Sequence, residues 1–350
     1  MVNIGIIGVG GIANGAHIPE IVKSPDAKLF AICDCDKDKL KTVGDKYGID
    51  EKYRFENHLD LINCPEVDAI EICTPNHLHV PFAVDAVKAG KPFNLEKPLS
   101  INYTEAEKLK VALEENNVPN MMCFSYRFKP AVRYAKELLD KGVIGDIINV
   151  KVEYFKDSAF MPGRKLEWRF IKEYAGTGVL GALGVHLIDL AEFLMGDITS
   201  VCAKKDVVVK KRPLLDGSGE GNVETDDYCM FLADFKSGAV GVFNITRCAY
   251  GNANTIAFEI FGTKGILSVN LNTPDKITIC AGEVDIECKG THTLTVPEKY
   301  AAGQEQSFID LCLGKKDKYL PTVEDGLKSQ RRLDALLLSS EEKRWVDIQD

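Results

Sequence analysis

Basic residues are in short supply in this chain of 350 residues. Lysine and arginine number 43 against 52 aspartates and glutamates, and the formal net charge is −9 at pH 7. Lysine and arginine dominate the binding of phosphate backbones and of anionic lipid surfaces. The deficit therefore argues against nucleic acid or a membrane as a partner.

The sequence also lacks the cysteine spacing of a metal site. It has 11 cysteines but no C-x-x-C pair, and several stand inside apolar runs (Cys33, Cys73, Cys123, Cys229). Scattered thiols in odd number fit neither a disulfide framework nor a zinc site, so we expect free cysteines and no metal. The start, MVNIGIIGVGG, lacks the basic region of a signal peptide. Together these features predict a cytoplasmic protein.

Long apolar runs are rare as well. The most apolar stretch, GTGVLGALGVHLIDLAEFLMG at 176–196, carries His186, Asp189 and Glu192 at helical spacing. Polar groups inside the run argue against a membrane span. Two interpretations remain: a core helix with a few exposed polar positions, or a catalytic helix lining a pocket.

The length and the changing periodicity predict two domains. In the first part, short continuous apolar runs alternate with helical patterns, which is typical of a doubly wound parallel sheet. The apolar runs are 2–9, 28–34, 67–75 and 91–98, and the helical patterns are 36–47, 77–89 and 102–116.

The pattern of the second part predicts a mostly antiparallel sheet. After a helix near 130–141 and a strand at 146–155, strand candidates follow one another and are joined by glycine-containing turns such as 236–238 and 263–265. Helical patterns at 303–313 and 323–341 close the chain. We interpret 210–222, KKRPLLDGSGEGN, as a mobile loop.

A glycine loop follows the first predicted strand. Gly8-x-Gly10-x-x-Ala13 stands between that strand and a helix, where glycine permits the tight turn and the approach of a pyrophosphate to backbone amides. Asp34 ends the next strand, 21 residues after Ala13, where an acid that binds the ribose hydroxyls belongs. It favours NAD over NADP, a preference that the nearby Lys37 and Lys39 weaken.

A second polar segment, ICTPNHLH at 72–79, ends a later strand. Ligands of open α/β sheets bind at the carboxyl ends of strands, so Thr74, Pro75 and Asn76 are placed to contact the nucleotide. His77 and His79 stand two residues apart, a poor spacing for a metal pair on a helix.

Glu96-Lys97-Pro98, after a further strand, completes a set of motifs that resembles the Gfo/Idh/MocA family of dehydrogenases. The resemblance continues through SYRFKPAVRYAKELLDKGVIGDI (125–147), the stretch at 176–196 and the C-terminal PTVEDGLKSQRRLDALLLSSEE. It implies a Rossmann domain, here 1–122, and an α+β domain with a large open, mostly antiparallel sheet, here 123–350. It also implies a nicotinamide cofactor, a sugar or polyol substrate, and a homodimer or homotetramer formed through the C-terminal sheet.

The same resemblance assigns roles to individual residues. Lys97 would hydrogen-bond the reacting hydroxyl beside the nicotinamide, and His186 would share the acid–base work, with Asp189 and Tyr300 as possible support. Loss of a hydride from a carbinol requires loss of a proton, which a lysine or an imidazole can accept. Together with the local motifs, the resemblance places the cofactor against Gly8, Gly10, Gly11, Ile12, Asp34, Thr74, Pro75, Asn76, His79, Glu96, Lys97, Arg127, Trp168 and Arg169.

Ala182 departs from the family pattern. Four residues before the helix histidine, the inositol-dehydrogenase-like branch carries an aspartate on the same helix face. Alanine there removes a hydrogen-bond acceptor for sugar hydroxyls. The departure indicates a substrate other than inositol or a reaction that depends mainly on Lys97.

Three functions fit these observations. The first is an NAD(P)-dependent oxidoreductase acting on a secondary hydroxyl or ketone of a sugar, a polyol or a derivative. The second is a glycoside-cleaving enzyme that oxidises its substrate transiently, eliminates the aglycone and regenerates the cofactor in place. The third, prompted by Ala182, is a non-catalytic dinucleotide-binding sensor, against which the presence of both Lys97 and His186 argues.

Overall fold

A computed structural model describes residues 1–349, which form two compact units. The first unit consists of Met1–Cys123 and Gly303–Leu327. The second consists of Phe124–Ala302 and the described residues from Lys328 onward. The segment Gly303–Leu327 thus belongs to the first unit although it follows most of the second in sequence.

The first unit is built on a six-stranded parallel sheet in the order β3-β2-β1-β4-β5-β6. This is the strand order of a Rossmann fold, in which the order reverses between β1 and β4. The strands are β1 (Val2–Ile7), β2 (Ala27–Cys33), β3 (Arg54–Phe55), β4 (Ala69–Ile72), β5 (Phe93–Leu95) and β6 (Asn120–Met122). The helices between them are α1 (Ile18–Lys23), α2 (Lys37–Tyr47), α3 (His58–Ile62), α4 (His79–Lys88) and α5 (Tyr103–Glu115).

The central strands are apolar because both faces of the sheet are covered. Ile4, Ile6, Ile32 and Ile70 are fully buried, as expected for strands with helices on either side. The predicted parallel sheet is confirmed. The short strands β3 and β6 were not predicted, because two or three residues cannot show a periodicity.

The second unit is built on a nine-stranded sheet in the order β16-β15-β14-β13-β7-β12-β11-β8-β17. Its neighbours are antiparallel except for β7 and β12. The strands of the unit are β7 (Ile147–Phe155), β8 (Ile198–Asp206), β9 (Lys211–Pro213), β10 (Glu220–Asn222), β11 (Tyr228–Phe235), β12 (Val240–Thr246), β13 (Thr255–Gly262), β14 (Gly265–Asn270), β15 (Lys276–Ala281), β16 (His292–Thr295) and β17 (Val346–Asp347).

The second unit also contains helices. They are α6 (Pro130–Asp140), α7 (Lys172–Ala175), α8 (Val185–Met195) and α9 (Glu283–Cys288). Two helices follow, α10 (Gln304–Cys312) in the first unit and α11 (Val323–Glu342). The predicted fold class, a Rossmann domain with a large, mostly antiparallel α+β domain, is confirmed.

The apolar stretch at 176–196 is a core helix preceded by a π-helical turn. The turn is Leu180–Gly184, and α8 follows it directly. Lys172–Met195 is long and apolar enough to cross a membrane by composition alone, but 78% of its apolar window is buried inside the protein. Such burial is the property of a core helix in a globular domain.

The segment predicted as a mobile loop is instead a β-ribbon. Strands β9 and β10 pair antiparallel within 210–222, with Gly221 opposite Arg212. The turn between them is closed by the amide of Leu214, which donates to the carbonyl of Gly219. Burial of the Arg212 side chain fixes the ribbon, a tertiary effect that its polar, glycine-rich composition conceals.

Candidate active site

The glycine loop of the first unit follows β1 and runs into the helical turn Ala13–His17 that precedes α1. Gly8 has φ +90°, and a Cβ there would come within 2.7 Å of the Cys73 carbonyl oxygen, so only glycine fits. A Cβ on Gly10 or Gly11 would meet nothing within 4 Å. The loop is therefore pressed against the end of β4 on one side and open on the other.

Asp34 stands at the end of β2 and is held against this loop. Its Oδ2 accepts the amide of Val9 at 3.0 Å, and its Oδ1 accepts the amide of Asp36. The two lysines that could attract a 2′-phosphate form exposed ion pairs, Lys37 with Glu56 and Lys39 with Asp36. The carboxylate thus lies beside the glycine loop, and its predicted role in binding the ribose hydroxyls stays a prediction.

Thr74, Pro75 and Asn76 leave the end of β4, the strand beside β1. The Thr74 hydroxyl is buried and has no hydrogen-bond partner among the described residues. The His79 ring lies between two carbonyl oxygens, with Nδ1 2.7 Å from that of Pro98 and Nε2 2.9 Å from that of Thr74. Burial lowers the pKa of His79, so a neutral ring donates to one of them and ties the loops after β4 and β5 together.

Glu96 and Lys97 follow β5, the strand next to β4. Lys97 is half-buried, whereas Glu96 is buried and accepts the amide of Lys97 on its Oε2 at 3.0 Å. The other oxygen, Oε1, lies 3.0 Å from Nε2 of His17. The glutamate beside the predicted catalytic lysine is therefore fixed by a histidine that the sequence analysis did not single out.

His17 is the centre of a buried cluster of charges. Its Nδ1 lies 3.1 Å from Oε2 of Glu71 and 3.1 Å from Oε1 of Glu305, and both His17 and Glu71 are fully buried. Asn94 donates to Glu71 at 2.9 Å. A glutamate inside the apolar run VDAIEICTP, and an asparagine inside the next strand, were the signals in the sequence that could have revealed this cluster.

Burial and the neighbouring charges shift the pKa values of the residues in this cluster. Burial alone would lower the pKa of His17, but Cys73 and the Glu305 carboxylate raise it well above its usual range. Burial and the nearby Glu305 raise the pKa of Glu71. Burial opposes ionisation of Glu96 and Glu305 as well, yet contact with His17 holds the pKa of each below its usual range. These shifts favour an imidazolium at His17 between the carboxylates of Glu96 and Glu305.

The spacing of this cluster would also suit a metal ion, because ligand atoms of His17, Glu71 and Cys123 lie within 4.8 Å of one another. Both ring nitrogens of His17 already contact carboxylates, and burial raises the pKa of Cys123. Ion pairing accounts for the arrangement. The prediction of no metal stays a prediction.

In the second unit, His186 lies in the first turn of α8 and is buried. Its ring is 4.7 Å from that of Tyr126, whose hydroxyl lies 2.8 Å from the hydroxyl of Tyr154 on β7. Ala182 lies in the π-helical turn before it, and such turns are frequent at functional sites. The histidine is therefore presented among aromatic side chains.

The two carboxylates of α8 are buried ion-pair partners, so the interpretation of the stretch as a core helix with exposed polar positions is wrong. The interpretation as a catalytic helix stays a prediction. Asp189 accepts from Nε of Arg127 at 2.9 Å and from Nη2 at 2.6 Å. Glu192 accepts from Nε of Arg332 at 2.7 Å. Any support that Asp189 gives to catalysis acts through this pair, which also fixes Arg127.

The remaining predicted residues lie in short turns of the second unit. Trp168 and Arg169 occupy the turn Trp168–Phe170, where the Arg169 guanidinium stacks 4.4 Å from the tryptophan ring. Tyr300 donates to Glu137 at 2.5 Å. Burial and this bond raise the pKa of Tyr300 to about 12, so it stays protonated at neutral pH.

The first unit fits a dinucleotide. The carboxyl ends of β1, β2, β4 and β5 meet at one edge of the sheet and bring together an open glycine loop, the Asp34 carboxylate, the unpartnered Thr74 hydroxyl and Lys97. These features define a dinucleotide-binding α/β oxidoreductase fold.

Comparison with known proteins supports the assignment of a dinucleotide-binding oxidoreductase fold. Residues 2–124 match the model of an oxidoreductase family with an NAD-binding Rossmann fold, and residues 132–268 match the GFO/IDH/MocA C-terminal domain. The chain belongs to the Gfo/Idh/MocA family of oxidoreductases. Its predicted family and its predicted cofactor, NAD, are confirmed.

Relatives extend over most of the chain. Levoglucosan dehydrogenase of Pseudarthrobacter phenanthrenivorans is 30% identical over 85% of each chain, and glucose-6-phosphate 3-dehydrogenase of Bacillus subtilis is 29% identical over 95% of each. A solved structure of levoglucosan dehydrogenase in complex with NADH has a TM-score of 0.90 at 28% identity, covering 100% of this chain and 99% of that one.

Proposed function

We propose that this enzyme transfers a hydride between NAD and a secondary hydroxyl or ketone of a sugar, a polyol or a derivative. The observation that carries the proposal is the edge of the parallel sheet, where Lys97 follows β5 two strands away from the glycine loop after β1. Similarity to dehydrogenases named for levoglucosan, glucose 6-phosphate and inositol supports the substrate class.

In the proposed reaction, the chain's own residues bind and orient the substrate and move the proton. When bound, the nicotinamide accepts or supplies the hydride. Lys97 hydrogen-bonds the reacting hydroxyl and takes its proton, and His186 shares that proton transfer. We assign cofactor binding to residues 1–122 and substrate binding to 123–350, with Arg127, Trp168 and Arg169 proposed as cofactor contacts and Asp189 and Tyr300 as support.

Purified enzyme is expected to change the fluorescence of NADH on binding and to produce NADH from NAD with at least one member of a panel of sugars and polyols. Absorbance of the reduced nicotinamide measures the second result. Binding without net NADH formation, but with release of an aglycone from glycosides, would replace the proposal by transient oxidation. Failure to bind either NADH or NADPH would contradict it outright.

We also propose a cytoplasmic homodimer or homotetramer assembled through the nine-stranded sheet. Met230, Leu232, Val240 and Val242 on β11 and β12 are each 40–50% exposed, and Leu232 pairs directly with Val242. Adjacent apolar side chains on a sheet face favour association. The cysteines for which the structure describes the side chain are free thiols, as in a reducing compartment.

The double variant Leu232→Glu/Val242→Glu is expected to be a monomer, because four carboxylates would face one another across a two-fold interface. Light scattering after gel filtration measures the mass. Leu215→Glu, at an exposed position outside the sheet, is the matched control and is expected to keep the wild-type mass. A monomeric wild type would rule out the assembly.

A further inference from the structure

Cationic side chains converge on one buried ring in the second unit. The guanidinium carbons of Arg164, Arg212 and Arg247 lie 4.8, 4.3 and 4.9 Å from the centre of the Phe170 ring. Lys156 lies beside this group rather than over the ring: burial and the nearby charge of Arg164 lower its pKa, and its Nζ is 5.9 Å from the centre of the Tyr154 ring. We call these four cations the Phe170 cation cluster.

The acidic groups near the cluster leave part of it uncompensated. Asp227 is paired with Arg247 at 2.6 Å. Glu167 stands 4.0 Å from Arg164, and Asp157 is the acid that acts on Lys156. Arg212 is 4% exposed, and its Nη2 donates to the carbonyl of Ala159, but its Nε has no hydrogen-bond partner among the described residues. A buried donor without an acceptor is costly, which indicates a site for an external one.

The strands place this cluster on the face of the sheet that carries His186. Lys156 and Arg247 directly follow β7 and β12, which are parallel neighbours with Phe155 opposite Thr246. They continue the alternation of the buried residues Tyr154 and Ile245. The turn before α8 packs on that face, because a Cβ on Gly184 would come within 3.0 Å of Ile245.

A chain of aromatic contacts joins the cluster to the histidine. Nζ of Lys156 lies 5.9 Å from the centre of the Tyr154 ring, Tyr154 shares a hydrogen bond with Tyr126, and Tyr126 contacts His186. A substrate held at His186 could therefore extend past the tyrosines toward Lys156 and Arg164.

We propose that the Phe170 cation cluster binds an oxyanion, a phosphate or a carboxylate carried by the sugar, and that the substrate is an acidic sugar. This rests on the proposed function for the reaction itself. Guanidinium and ammonium groups form charge-assisted hydrogen bonds with both kinds of oxyanion, and a bound anion would relieve the mutual repulsion of the cations.

Binding of inorganic phosphate, measured by titration calorimetry, tests the cluster without any turnover. Wild type is expected to bind with a Kd of about 1 mM or tighter. Lys156→Met/Arg164→Met is expected to bind at least about 10-fold more weakly, since the loss of even one charged hydrogen bond weakens binding by about 10- to 100-fold. Lys211→Met, which removes an exposed lysine on β9, is the control expected to match wild type. Equal affinity of all three proteins, or no binding, would overturn the proposal.

Turnover with matched sugars identifies the anion. The kcat/KM for glucose 6-phosphate or for glucuronate is expected to exceed that for glucose at least about 10-fold, and the double variant is expected to lose this ratio. The better of the two acids shows whether a phosphate or a carboxylate is recognised. Oxidation of glucose as fast as of either acid would refute the anion site and leave the dehydrogenase intact. Phosphate binding without oxidation of any sugar would support the anion site and contradict the proposed dehydrogenase function.

Discussion

Lys97→Met is expected to lower kcat by about 10²- to 10⁴-fold, the contribution of a positioned acid–base group. Methionine keeps the apolar stem and removes the group that accepts the proton. Because the glycine loop and Asp34 remain intact, the Kd for NADH is expected to change by no more than about threefold, the signature of an interaction made in the transition state. Stopped-flow absorbance and a fluorescence titration measure the two quantities.

Two further variants separate proton transfer from charge. Lys97→Arg retains the positive charge, but a guanidinium does not deprotonate in proteins and cannot act as the base, so the same loss is expected. Lys88→Met removes an exposed lysine of α4 and is expected to retain wild-type kcat. Should Lys97→Arg keep more than about a tenth of the activity, Lys97 is not the proton acceptor and serves only to attract the cofactor.

His17→Gln is expected to reduce the free energy of unfolding by about 3–5 kcal/mol, the cost of removing one partner from a buried ion pair. Glutamine fills similar space but leaves the carboxylates of Glu96 and Glu305 without their counter-charge. Urea denaturation measures the loss. His17→Gln/Glu305→Gln is expected to recover part of it, because one of the stranded carboxylates is then gone.

An exposed ion pair is the control for this effect. Lys41 pairs with Asp45, and its side chain is 76% exposed, so Lys41→Met is expected to cost less than about 1 kcal/mol. A similar small loss for His17→Gln would show that the buried cluster does not stabilise the unit.

The contribution of His17 has a definite pH dependence. Its pKa in the folded protein lies above its unfolded value, so its stabilisation is fully present below the unfolded pKa and disappears as the pH rises through the folded pKa. The difference in unfolding free energy between wild type and His17→Gln is therefore expected to shrink as the pH rises above the unfolded pKa of a histidine, about 6.5, and through the raised pKa of the folded protein. The pKa values of Glu96 and Glu305 are lowered in the folded protein. Their stabilisation is therefore present above their unfolded pKa and is lost as the pH falls through the folded pKa.

Local sequence motifs were sufficient to predict which residues lie at the carboxyl edge of the parallel sheet. The glycine loop, Asp34, Thr74 and Lys97 each follow a strand, and parallel strands bring their carboxyl ends to one edge whatever the details of packing. The positions of these residues could therefore be predicted from patterns of about ten residues. The predicted roles of Lys97 and His186 in catalysis await the variants described above.

Such local patterns could not predict the ion pairs between residues that are far apart in the sequence. His17, Glu71, Glu96 and Glu305 are separated by tens to hundreds of residues. The apolar run around Glu71 indicates that this glutamate is buried, but nothing local identifies the side chains that surround it. The same holds for Asp189, whose bidentate partner Arg127 lies 62 residues away. Side-chain electrostatics of this kind depends on distance in space, which sequence spacing does not supply.

The sequence by itself determined the family, the Rossmann domain, the NAD cofactor and the large antiparallel sheet, because each depends on glycine geometry, hydrophobic periodicity or a contiguous motif. Only the tertiary structure decided that the helix at 176–196 buries its carboxylates in ion pairs, that 210–222 folds into a ribbon, and that Arg164, Arg212 and Arg247 meet around Phe170 with Lys156 near Arg164. The physical reason is that burial and charge compensation are properties of packed neighbours, and these neighbours come from segments far apart in the chain.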